Sequence, residues 1–464
     1  MKKFLKKASI YLLLMLLIAA AVFSLNYFLG RKLAGDLEND LKEIAAENNY
    51  QLRYLNINSN PLLRRVEVNT LSFQNNSDQS FELNGAEIEF SWQQIFNYLK
   101  DGEFLAKKDI TAEVDKFSFY DLQQNNHFDF YNSSLSYQGE INSQSVKEPL
   151  QLIKNNHRLN IASEEVIYDY PFYRSYGITK ANWERISTFR DFAFNADYQS
   201  QNQKLTVNNF ALKNEFIDYQ LDFETVLEER TEAEVEAAET SKTESEPEEM
   251  AEEMETALAE IVLYSRQNQK LILKELQSNY QLALNGELIN LSENELFNQF
   301  SFAELNLDSD FAMYLDSEKK NYQIQKFDLN FDLSDFQLVL KENLSQEVNQ
   351  SSFGILAQNG EFELNIDSLN YLQQFNHPKG RSELDLISNL IDARLNAEFN
   401  YSEEIPYISS SLLKFKAKNQ SVEQLLLFAQ LLNGDNFEQD EEGYYQLELW
   451  GRLDNLNFEN KLYN

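Results

Sequence analysis

The sequence predicts a mainly β fold with short helices as a minor α+β component: an elongated, curved antiparallel sheet or β-groove after one N-terminal transmembrane helix. Three observations predict it. Apolar and polar residues alternate over most of the chain beyond Tyr50, the period of a strand with one buried face. Glycine and proline number only 13 and 6 in 464 residues, against 34 Phe and 24 Tyr; this excludes collagen-like or glycine-rich designs and a chain that is disordered overall. A run without formal charge, SIYLLLMLLIAAAVFSLNYFL at positions 9–29, precedes everything else.

That run comes first. About 20 helical residues at 1.5 Å each give roughly 30 Å, the thickness of a bilayer core. Lys2, Lys3, Lys6 and Lys7 precede it, and Arg31 and Lys32 follow it. The basic excess lies on the N-terminal side, which favours a cytoplasmic N-terminus and an extracytoplasmic bulk. Ala19-Ala20-Ala21 also suits signal-peptide cleavage, but the apolar character continues through Val22, Phe23, Leu25, Tyr27, Phe28 and Leu29, longer than a typical h-region. Residues 1–32 are therefore read as a short cytoplasmic tip and a single-pass anchor.

Leu33, Leu37, Leu41 and Ile44 recur at helical spacing, so 33–49 is read as a juxtamembrane helix. The period then becomes two: Tyr50, Leu52 and Tyr54, then Val66 and Val68, Phe81 and Leu83, and Ala86, Ile88 and Phe90. Asn84-Gly85, between two such runs, is a hairpin signal. Ser91-Trp-Gln-Gln94 has capping-box spacing, with Gly102 suited to the C-terminal end, which predicts a short amphipathic helix between strands. Ile110, Ala112 and Val114, then Phe117 and Phe119, continue the sheet.

The same grammar returns in the second half. Asn285-Gly286 and Asn359-Gly360 are further turn signals, and Ser292-Glu-Asn-Glu295 repeats the capping spacing ahead of Leu296, Phe297 and Phe300. Leu369, Tyr371, Leu372 and Phe375 read as a short helix, and Ser421 opens another from Leu425 to Leu432. The apolar phase slips within Ile324, Phe327, Leu329, Phe331, Leu333, Phe336, Leu338 and Leu340, so bulges or turns are expected there. Between the halves, 227–260 is rich in Glu, Ala, Thr and Ser without an aromatic; self-repulsion and little apolar surface predict an acidic low-complexity linker. It separates two β-rich blocks, 50–226 and 261–464.

Chemistry-bearing motifs are missing from the sequence. With no cysteine there is neither a disulfide nor a thiolate. A net charge of -35 argues against nucleic-acid binding, which needs Lys and Arg. His127, His157 and His377 are far apart in sequence, and no HExxH, GxSxG, GxxxxGK[ST] or GxGxxG pattern occurs. Asp308-Ser-Asp310 lacks the later ligands of a calcium loop. Trp92, Trp183 and Trp450 are read as core or groove-lining anchors. No catalytic residue, metal site or cofactor is expected, and the chain is not read as an enzyme.

With VEVNTLSF, FELNGAEIEFSWQQIFNYLKDG and ITAEVDKFSFYD in place, the order of elements over residues 52–119 resembles the AsmA-like proteins of double-membrane bacteria, including the YdgA-type branch. The resemblance implies an inner-membrane anchor and an extended periplasmic β-groove, in a group whose larger members are proposed to carry phospholipid. The acidic segment departs from that pattern. About 20 strands at 4.8 Å would give a groove on the order of 100 Å, short for a complete bridge across an envelope.

The expectation is thus an inner-membrane-anchored periplasmic β-groove protein that binds or helps transfer lipid acyl chains in envelope maintenance. Its expected groove lining is Val66, Val68, Ile88, Phe90, Ile110, Ala112, Val114, Leu329, Phe331, Phe362, Leu364 and Ile366. The alternatives are a closed core made of the same residues, and a non-catalytic scaffold that holds envelope proteins through sheet edges.

Overall fold

A computed structural model of the chain describes residues 23–24, 26–43, 45–46, 50–75, 79–101, 108–121, 125–139, 153–170, 173–174, 179–231, 262–266, 269–286, 297–316, 321–351, 362–401, 407–418, 420, 422–424, 439–452 and 455–460. Strands dominate, and among the described residues they pair antiparallel. Two compact units divide the chain: Met1–Pro171 with Ser187–Gln201, and Phe172–Ile186 with Asn202–Asn464.

The first unit begins with helix α1, described over 26–43 with flanking helical residues. Strands β1 (Gln51–Asn60), β2 (Arg65–Gln74), β3 (Gln79–Glu89), β4 (Lys108–Asp121), β5 (Asn126–Gly139), β6 (His157–Asp169) and β7 (Thr188–Gln199) follow as a meander, each beside the next. Helix α2 (Trp92–Asp101) interrupts it after β3. The capping box closes as the sequence predicts. The Ser91 N–H donates to Gln94 Oε1 at 2.5 Å, and the Gln94 N–H donates to Ser91 Oγ at 3.2 Å, satisfying helix-end donors reciprocally.

Asn84-Gly85 is not a hairpin turn. Strand β3 passes through it, with Asn84 opposite Thr70 and Ala86 opposite Val68. Gly85 has φ +66°, and a Cβ there would lie 2.0 Å from the Asp115 carboxylate; glycine is needed for both reasons. Gly85 belongs to a line of kinks. The unpaired position between ladder partners falls at Asp115 in β4, Asn132 in β5, Glu164 in β6 and Asp191 in β7. Asn132 and Asp191 also have positive φ, +48° and +58°. Across the line the apolar spacing becomes three, yet Val68 and Leu71, Ala86 and Leu83, and Val114 and Phe117 belong to one hydrophobic cluster. The kink keeps the apolar side chains on one face while the count slips.

Helix α3 (Lys180–Ser187) lies almost wholly in the second unit, where Trp183 stacks on Tyr173 at 5.3 Å. The strands are β8 (Lys204–Lys213), β9 (Ile217–Thr231), β10 (Val262–Arg266), β11 (Gln269–Asn285), β12 (Phe297–Ser301), β13 (Glu304–Asp316) and β14 (Asn321–Leu340). After α4 (Glu342–Ser351) come β15 (Glu363–Asn376), β16 (Lys379–Ser388), β17 (Ile391–Asn400), β18 (Tyr407–Ala417), β19 (Tyr445–Arg452) and β20 (Asn455–Asn460). They pair in the spatial order β8, β9, β11, β13, β14, β15, β16, β17, β18, β19, β20. The short β10 and β12 share edges of β11 and β14 with β13.

Several expectations change here. Leu369, Tyr371 and Phe375 lie along one face of strand β15 and Leu372 on the other; the stretch is not a helix, because β14 and β16 take up its backbone groups on both sides. Phe297 and Phe300 belong to strand β12, whose backbone pairs with the end of β14. Asn285-Gly286 ends β11, with the Gly286 N–H donating to the Ala303 carbonyl at 2.7 Å. Residues 227–231, the start of the expected linker, extend β9 beside β11. The phase slips in β14 have their expected cause: a register shift opposite Ala312/Met313, and Asp335 at φ +49°.

The rest of the acidic segment, most of the anchor run, Asn359-Gly360 and the body of the helix from Leu425 to Leu432 lie outside the described residues. No helix among the described residues is long and apolar enough to cross a membrane.

Candidate functional site

The register of the second unit builds a two-faced sheet. From Phe210, one row of opposed residues runs through Leu221, Tyr280, Ser309 and Leu329. Another runs Leu212, Tyr219, Leu282, Leu307, Phe331, Tyr371, Leu384, Leu395, Leu413, Leu447, crossing ten strands without a charged residue. A third, from Ile217 through Leu284, Leu305, Leu333, Leu369, Leu386 and Ala393 to Phe415 and Tyr445, is equally uncharged. Opposed residues share a face, so these rows form one apolar surface. Aromatic contacts reinforce it: Tyr219 meets Tyr280 edge-on at 5.3 Å, Phe311 meets Phe327 at 6.3 Å, and Phe375 stacks on Phe399 at 6.2 Å.

The intervening residues make the opposite face polar and acidic. Asp218, Gln220, Asp222, Gln281, Asn279, Asp308, Asp310, Asp328, Asn330, Asp332 and Asn370 occupy its middle. Lys326 bridges Asp310 and Asp328, and its ammonium pKa is raised chiefly by the Asp310 hydrogen bond. Lys418 is held charged in the same way by Asp392, at 2.9 Å. Such pairs contribute little stability individually, but they dilute the repulsion of the acidic face. A shallow cavity of about 210 Å³ on this side is lined by Asn330, Asn370, Glu383, Asp385 and Arg394 among others.

The expected lining residues fall into two sets in different units. Val66, Val68, Phe90 and Val114 form a filled core with Leu33 of α1 and Ile95 and Tyr98 of α2, and Ile88 packs against it. Val66 is only 1% exposed. Ile110 and Ala112 are half-buried on the same strand as Val114. Leu329 and Phe331 stand in the apolar rows of the second unit, with Leu364 opposite Leu338 and Ile366 opposite Phe336; all four are half-buried. Phe362, also half-buried, precedes β15, and its N–H donates to Ser345 Oγ of α4 at 3.0 Å. Phe311, Phe327, Leu384, Leu395 and Leu413 extend the same face beyond the residues singled out from sequence. Continuing the alternation of β14 onto its paired strands would have found them.

Among the described residues, the three histidines and the best-buried carboxylate lie in local polar contacts. Asp129 accepts from Ser118 Oγ at 2.6 Å and Lys116 Nζ at 2.9 Å. His127 lies beside that carboxylate at 3.6 Å, so Ser118 donates to an acid rather than to an imidazole base. His157 Nδ1 meets the Tyr137 hydroxyl at 2.5 Å, and His377 meets the Gln323 amide at 2.6 Å. Burial pushes the Tyr137 phenol up to about 12. Among the described residues no group of three His, Asp or Glu side chains could hold a metal ion. Trp92 departs from its expected role as a core or groove anchor: it is 46% exposed on the outer side of α2.

No family model, curated protein or solved structure matches the chain.

Proposed function

We propose that the protein is a membrane-anchored, extracytoplasmic lipid-binding protein of the cell envelope, with the apolar face of the second unit as its site for acyl chains. The observation that carries this reading is the uncharged row from Leu212 to Leu447, half-buried at Phe331, on a sheet whose other face is acidic. A broad apolar surface of this kind marks a contact with lipid or another apolar partner. Acyl chains fit because they demand no directional polar partner and cover apolar area at about 25 cal/mol per Å². The anchor run and its flanking lysines support placement at an inner membrane with the bulk in the periplasm, as in the AsmA-like proteins that the element order resembles.

Alternation supplies a face-specific test. A photoreactive phenylalanine analogue replaces Phe331 in one variant and Asp332, its neighbour on the opposite face, in another. On irradiation in cells, the Phe331 position is expected to yield a phospholipid adduct and the Asp332 position none. Equal labelling at both positions, or protein adducts alone at Phe331, would reject the lipid reading; the second outcome would favour a scaffold.

A further inference from the structure

The end of the first unit that adjoins the anchor run carries a second apolar surface, on a different group of elements. Twelve large apolar side chains are exposed among the described residues, and seven lie on three short segments: the start of α1, the 3₁₀ turn Pro61–Leu63, and α2. Leu63 and Phe96 are 61% and 63% exposed.

Hydrogen bonds tie these segments together. Asn26 of α1 accepts from the Leu62 N–H at 2.8 Å and donates to Asn60 Oδ1 at 3.0 Å. A Cβ on Gly30 would lie 2.4 Å from the Ser59 carbonyl, so the helix backbone lies directly against the end of β1. The Phe90 N–H donates to the Arg64 carbonyl at 2.8 Å, bringing the start of α2 to the same turn, and Trp92 and Phe96 lie 6.3 Å apart on that helix. Pro61 is buried and Arg64 is left-handed at φ 55°, so Leu62 and Leu63 are presented on a fixed turn.

We infer that this surface is seated in the lipid headgroup region, with Leu62, Leu63, Trp92 and Phe96 inserted beside the anchor. The inference rests on reading 9–29 as membrane-spanning, not on acyl binding by the second unit. Two observations select lipid as the occupant. Asn26 lies within the anchor run itself, so whatever surrounds the end of that run also surrounds Leu62. The exposed Arg31, Lys32 and Arg64 border the surface although the chain carries a net charge of -35, and local cations beside inserted apolar side chains match anionic headgroups. Tryptophan is suited to that boundary because its ring is apolar and its N–H polar.

The test uses the full chain with Trp183 and Trp450 changed to Phe, reconstituted into phosphatidylethanolamine–phosphatidylglycerol vesicles containing brominated phospholipid. Trp92 emission is expected to be quenched strongly by bromine near the headgroup end of the acyl chain and weakly by bromine at its far end. The added Leu62→Asp and Leu63→Asp changes, at exposed positions, should shift the emission red and relieve the quenching with the circular dichroism unchanged. Failure of the chain to float with the vesicles would overturn the anchor and this inference together. Flotation with Trp92 open to aqueous acrylamide but untouched by bromine would overturn this inference alone. Shielding from both quenchers would replace lipid with a protein occupant and also overturn it.

Discussion

Replacing Phe331 with Asp and, separately, Val66 with Asp separates a lipid-accepting face from a sealed core. Val66 is 1% exposed in a cluster closed by α1 and α2. Its replacement forfeits about 2 kcal/mol of apolar burial and places a carboxylate where nothing pairs with it, for a total of about 4 kcal/mol or more. Phe331 is half-buried. Its replacement forfeits about half of the roughly 3 kcal/mol that full burial of a Phe supplies, near 1.5 kcal/mol, while the new carboxylate keeps water. Urea unfolding followed by circular dichroism should show a much larger fall in midpoint for V66D than for F331D. Lipid co-purification should show the reverse order, with F331D losing bound phospholipid and any folded fraction of V66D retaining it. Equal destabilisation by the two variants would mean that Phe331 faces a closed core, and the site would be lost with it.

Three other outcomes follow from the first unit. The Tyr98 hydroxyl of α2 donates to the Asp36 carboxylate of α1, and burial followed by that bond raises its pKa; Y98F should cost about 1.5 kcal/mol and increase hydrogen exchange in α1 before the strands. The Tyr137 phenol, pushed up to about 12 by burial, ionises more easily once unfolded. Its contribution is therefore complete below pH 10 and declines as pH rises toward 12; urea midpoints across that window should fall less steeply for Y137F than for the parent chain. G85A should cost about 1–3 kcal/mol from its positive φ and its approach to Asp115, and adding D115A should restore only part of the loss in thermal midpoint.

The sequence by itself determined the alternation, because side chains of a strand point to opposite faces with a period that neighbours cannot alter. Trp92–Asp101 was legible from its capping box, whose donors and acceptors lie within four residues of one another. The slips in β14 were legible because an apolar spacing of three cannot continue a flat strand. Other features were set by partners remote in sequence. Asn84-Gly85 has the composition of a turn, but its backbone is held between β2 and β4. Leu369–Phe375 contains helix formers and still extends between β14 and β16. Val66 and Phe331 carry the same alternating signal; Val66 is sealed because Leu33 and Ile95 cover it, whereas Phe331 takes its place in a half-buried row. Periodicity specifies which side of a strand avoids water. Only the tertiary structure decides what lies against that side, because the covering atoms come from elements whose positions the local pattern does not encode.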